Sequence, residues 1–158
     1  MLDEMPGVGL QSAQRIIAEV GIVMEQFPSA DHFASWCGIV PECNESAGKK
    51  KNTRIRKGNK FIKATIVECA RAAIRNKNSY YYAKYCKIAA RRGGKRALIA
   101  VAHSMLLAIY HILKQKQHFA DLGSNYFNTI NAERILKRNL RSLHDLGFEV
   151  TLSPIQAG

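Results

Sequence analysis

A chain of 158 residues, 47% hydrophobic and 23% charged, is the size of one folded domain and too apolar for a disordered tail. Its 24 lysines and arginines against 12 acids give a formal charge of +12, which points to a polyanionic partner such as DNA, RNA or an anionic membrane. Residues 1–7 hold neither a basic block nor an apolar one, so no secretory signal is expected.

Taken in order, Pro6-Gly7-Val8-Gly9 precedes a segment in which Ala13, Ile16, Ile17 and Val20 fall at helical spacing before Gly21. Residues 1–21 read as the second half of a helix-hairpin-helix, where Gly7 and Gly9 let backbone N–H groups face a phosphate. An ordinary Pro-Gly turn ahead of an amphipathic helix fits the same residues. Ser29 is the expected N-cap of a helix with Phe33, Ala34, Trp36 and Cys37 on its buried side, closed by Gly38.

Residues 38–63 are the most distinctive stretch. Ser46 sits in a glycine-containing loop, and Lys49, Lys50, Lys51, Arg54, Arg56, Lys57, Lys60 and Lys63 follow with no carboxylate between them. Such a run seeks phosphates, because lysine and arginine neutralise a nucleic-acid backbone and hold its register. A solvated loop with a Ser-Ala-Gly turn is the plainer reading.

The segment from Asn59 to Asn76 is predicted helical, with Ile62, Thr65, Ile66, Cys69 and Ala73 as its apolar stripe and Lys60, Lys63 and Arg71 on another side. Ser79 opens a helix in which Tyr80, Tyr81, Tyr82 and Tyr85 alternate with lysines, rings that serve either base stacking or helix packing. Gly93 and Gly94 separate it from a helix over residues 95–116, apolar on nearly every side and predicted to be the core helix. Its apolar run over residues 97–113, interrupted by His103, Ser104 and His111, is short for a membrane span of about 20 residues. His103, His111 and His118 have no accompanying carboxylate and read as ordinary histidines. Residues 131–143 form a last, charged helix, and residues 147–152 alternate like a short strand. The whole reads as all-α: a single mostly helical domain with a helical body over residues 59–143, a tail over 144–158 and a short C-terminal strand.

Cys37, Cys43, Cys69 and Cys86 match no zinc or redox spacing and are expected to be reduced thiols of a cytoplasmic protein. The acids are scattered singly, so no two-metal nuclease site is expected in this chain. Ser46 lies in no Gly-x-Ser-x-Gly elbow and has no His-Asp pair near it in sequence, which leaves a hydrolase triad unsupported. For attack on a phosphodiester, the extra negative charge on pentavalent phosphorus suits guanidinium and ammonium groups, and Arg54, Arg56, Lys57 and Lys60 are nearest in sequence.

An ordered series of segments resembles one family: Pro6-Gly7-Val8-Gly9, then Phe33-Ala34-Ser35-Trp36-Cys37-Gly38-Ile39-Val40-Pro41, Asn44-Glu45-Ser46-Ala47-Gly48-Lys49, Arg56-Lys57-Gly58-Asn59-Lys60, Arg92-Gly93-Gly94-Lys95-Arg96-Ala97 and Leu146-Gly147-Phe148-Glu149. It is similar to the C-terminal transposase domain of the insertion-sequence one-ten family, the DEDD transposases also described as bridge-RNA-guided recombinases. The resemblance implies DNA strand exchange by a homo-oligomer, with Ser46 as the nucleophile joined to DNA and a structured guide RNA as a further partner. It also implies a RuvC-like N-terminal domain holding Mg²⁺. That domain is not among these residues, so a partial protein without the metal half of the reaction is expected, and no membrane partner. Two other readings remain open at this point, a non-catalytic helix-hairpin-helix module for DNA or junctions and an RNA-binding accessory protein that uses the tyrosine and lysine helix.

Overall fold

The structure, a computed structural model, describes residues 1–40, 44–46, 49–52, 55 and 57–152, with the segments 44–46 and 49–52 described by their backbone. Among these residues the chain is mostly helical, as the sequence predicts. The helices are α1 (Leu10–Val20), α2 (Ala30–Cys37), α3 (Lys60–Ala73), α4 (Tyr80–Arg92), α5 (Gly94–Gln115), α6 (Tyr126–Ile130) and α7 (Ala132–Asp145). Between α2 and α3 stands an antiparallel hairpin of β1 (Asn44–Ser46) and β2 (Lys49–Asn52).

Local chemistry sets the helix ends. Ser29 is in extended conformation and its side chain accepts from His32 N, while Gly38, at φ 75°, takes the left-handed turn that closes α2. Asn59 Oδ1 accepts from Phe61 N at 2.9 Å and Ile62 N at 3.3 Å, satisfying donors that the first turn of α3 would otherwise leave open. Ser79 caps α4 through Tyr82 N at 3.2 Å, and Asp121 Oδ1 accepts from Tyr80 N at 2.9 Å.

The chain divides into two compact units, Met1–Ser124 and Asn125–Gly158. In the first, α5 packs against α2, α3 and α4, and α1 lies on α3. Ile62, Ile66, Val101, Met105, Leu106 and Ile109 are fully buried at the centre, each contributing roughly 1.5–3 kcal/mol by leaving water. By length and composition α5 is apolar enough to cross a membrane, yet here its buried side is the middle of this core. The expected buried face of α2 holds for Phe33, Ala34 and Cys37 but is corrected for Trp36, which stays 39% exposed. Its ring stacks on Phe33 at 6.4 Å and meets Phe27 at 5.5 Å, so one side is packed and the rest meets solvent. Burial pushes the Cys37 thiol up to about 12, keeping it protonated in the core.

In the second unit α7 buries no side chain, and Leu136 and Leu143 stay exposed. The strand expected over residues 147–152 is not formed among the described residues. Gly147, at φ 85°, turns the chain back and Phe148 N donates to Leu143 O at 3.0 Å, which finishes the helix. Alternation alone does not make a strand; it needs a partner edge for its backbone groups.

Gly58 lies directly against the C-terminus of α2: a Cβ there would stand 2.4 Å from Gly38 N and 2.6 Å from Cys37 C. Replacing Asn59 by Ala should cost about 1 kcal/mol through the lost cap. Gly58→Ala should cost more, because the atoms it meets are backbone and cannot yield. Urea unfolding of the two variants tests that order, and a Gly58→Ala protein as stable as the parent would show that the contact is not tight.

Candidate nucleic-acid interface

The hairpin that carries Ser46 is held at its neck by three elements. Asn59 is the knot. Its side chain caps α3, its N–H donates to Trp36 O at 3.3 Å at the end of α2, and its Nδ2 donates to Glu19 Oε2 at 2.9 Å on α1. With the Gly38–Gly58 contact beside it, the chain that leaves α2 is brought back to its starting point before α3 begins. The hairpin lies in the segment between these two points.

In the hairpin Ser46 ends β1 and stands opposite Lys49 in register, with Glu45 opposite Lys50 and Asn44 opposite Asn52. The backbone therefore brings Ser46 beside the first of the lysines, across a two-residue connection. Lys50 and Lys51 follow in β2. Arg54 and Arg56 lie outside the described residues. Lys57 and Lys60 are exposed at the neck, while Lys63, one turn into α3, is half-buried. The cations thus run from the hairpin into the first turn of α3.

Gly7 and Gly9 separate in role. At φ +83° Gly7 takes a conformation open to glycine, and a Cβ would stand 2.3 Å from Cys69 O and 2.5 Å from Ala73 N, so the residue lets the N-terminal turn lie on the backbone of α3. Gly9 meets nothing within 4 Å, is exposed, and is the N-cap of α1 with no side-chain cap. The positive end of α1 is therefore the more open of the two helix starts, since Asn59 already occupies that of α3.

The tyrosine and lysine helix is spent largely on packing. Tyr81 is buried and stacks with Phe119 at 6.1 Å, and the Tyr85 hydroxyl would meet a Cβ at Gly94 at 2.8 Å. Lys84 Nζ donates to the Tyr80 hydroxyl at 3.3 Å and to Ser104 Oγ, and desolvation lowers its pKa. Among the described residues no three His, Cys, Asp or Glu side chains come together. Sequence reasoning missed the hairpin and the role of Asn59. The hairpin lacked the alternating apolar residues that announce a strand, whereas an Asn ahead of a helical stripe was a readable cap signal.

The described residues thus form a helical body with a hairpin that carries Ser46 and Lys49 to Lys51 in its strands, and with Lys57 and Lys60 exposed at its base. Residues 1–87 match the family model described as Transposase IS116/IS110/IS902 family, and the chain belongs to that family. The match spans α1, α2, the hairpin, α3 and the first part of α4. No curated protein matches the chain.

Gly7→Ala should destabilise the fold by more than 1 kcal/mol, roughly, because it combines a left-handed φ with a backbone clash. Gly9→Ala should cost about 1 kcal/mol or less. Thermal unfolding of both distinguishes them, and equal losses would contradict the packing role of Gly7.

Proposed function

We propose that this transposase-family chain is the DNA-binding, serine-bearing portion of a recombinase that exchanges DNA strands through a covalent intermediate on Ser46. The observation that supports the reading most is the register of the hairpin, which sets Ser46 against Lys49 at the far end of a segment anchored by Asn59. In the reaction the Ser46 hydroxyl oxygen bonds to phosphorus, its proton passes to a base, and one deoxyribose oxygen leaves, gaining a proton. The phosphoserine ester keeps the energy of the broken phosphodiester, and a hydroxyl of the incoming strand reverses the step and frees the serine.

The cations carry the electrostatic part. Lys49, Lys50, Lys51, Arg54, Arg56, Lys57, Lys60 and Lys63 neutralise phosphates on either side of the attacked one and stabilise the added charge on phosphorus. The uncapped start of α1 at Gly9 adds a backbone phosphate contact of the helix-hairpin-helix kind, with Gly7 shaping the turn that leads to it. In this reading Mg²⁺ is held by a RuvC-like domain outside these residues, and would supply Lewis-acid help at the phosphate. The full assembly is a cytoplasmic homo-oligomer that also takes a structured guide RNA.

Ser46→Ala in a protein that includes the metal-binding domain should abolish the covalent protein–DNA adduct, seen as a shifted band on denaturing gels, and leave DNA affinity nearly unchanged. An adduct of undiminished yield would remove Ser46 from the chemistry and leave a non-catalytic DNA-binding module. For the chain itself, log affinity for duplex DNA should fall linearly with log salt, and each phosphate contact removed by a Lys→Ala change should reduce the slope by roughly 0.9. A flat salt dependence would sink the polyanion reading.

A further inference from the structure

Phe61 is the most exposed large aromatic of the neck, at 73%, and the core has no use for it. The buried stripe of α3 is Ile62, Ile66, Cys69, Ala70 and Ala73, and Phe61 lies off it, on the side shared with exposed Ala64, Glu68 and Arg71. Its exposure is not that of a fraying end. Its N–H is bonded to Asn59 Oδ1 at 2.9 Å, and Asn59 is in turn tied to α1 and α2, so the ring projects from a backbone fixed on three elements. Lys57 and Lys60, both exposed, precede it in sequence, and Glu19 Oε2 accepts from Asn59 Nδ2.

An exposed apolar ring that follows two exposed lysines suits a partner that is anionic along its backbone and flat and aromatic in its interior. A second copy of this +12 chain would bring more cations to the lysines, whereas a nucleic acid supplies phosphates for them and a base for the ring. We propose that Phe61 is a stacking platform for one unpaired or extruded nucleobase beside the phosphodiester that the Ser46 hairpin engages. This inference rests on the nucleic-acid reading above and specifies how the DNA is held. A base taken out of the stack leaves its neighbouring phosphodiester less constrained, and the platform holds that distorted strand in place.

The test compares the 158-residue chain with its Phe61→Ala, Phe61→Leu and Lys57→Ala/Lys60→Ala forms. Binding is followed by fluorescence anisotropy at one salt concentration, on a short perfect duplex and on the same duplex carrying one bulged 2-aminopurine. The parent chain should favour the bulged duplex by about tenfold and quench the 2-aminopurine. Phe61→Ala and Phe61→Leu should lose both the preference and the quenching while binding the perfect duplex like the parent. The double lysine variant should weaken binding to both duplexes alike. A parent without preference, a Phe61→Leu form that keeps it, or a Phe61→Ala form that changes only the sedimentation of the protein would each overturn the platform and leave the DNA-binding reading intact. A parent that binds neither duplex overturns that reading and the platform with it.

Discussion

Asn59 holds together what the rest of the molecule displays. One side chain and one N–H join α1, α2 and α3 at a single point, through Glu19, Trp36 O and the first turn of α3. The closeness of Gly58 to Gly38 makes this geometry possible, since any Cβ there would push the returning chain off the end of α2. Loop closure costs entropy, and a neck fixed by hydrogen bonds and backbone contact meets that cost once for the whole excursion. The segment that contains the hairpin with Ser46 thus leaves and rejoins the helical core at this point.

This division explains how a small basic chain reconciles a stable fold with a strongly charged working surface. The apolar side chains of α3 and α5 meet in the interior, and eight of the 24 lysines and arginines fall within residues 49–63. The two helix starts nearest the hairpin and the N-terminal turn are treated differently. That of α3 is closed by Asn59, and that of α1 is left to the backbone at Gly9. In the proposed function the first serves position and the second serves phosphate.

The proposed function needs a nucleophile held, phosphates neutralised and DNA distorted at the point of exchange. Ser46 opposite Lys49, the run of cations, and Phe61 standing out of the neck would meet these needs in that order. The aromatic residues of α4 were the more conspicuous stacking candidates in the sequence. Packing claimed Tyr81 against Phe119, and Lys84 is held by Tyr80 and Ser104.

What the sequence determined by itself was everything governed by neighbours along the chain. Ser29, Asn59 and Ser79 preceded their apolar stripes as caps do, Gly38 and Gly93 marked helix ends, and the repeat in residues 95–116 announced the core helix, because helical periodicity and capping are local. The family resemblance was legible for the same reason, as an ordered series of short segments. Tertiary structure alone decided whether a residue capable of two uses was spent on the interior or left outside. Trp36 and Phe61 are both aromatic beside the same neck, yet one leans on Phe27 and Phe33 and the other faces water. Gly7 and Gly9 are two residues apart, yet only one touches α3. The alternating residues after α7 found no edge to pair with, and the basic loop, with no strand signal, folded into a hairpin. Each outcome depends on which other segment arrives alongside, and no pattern within a few residues records that.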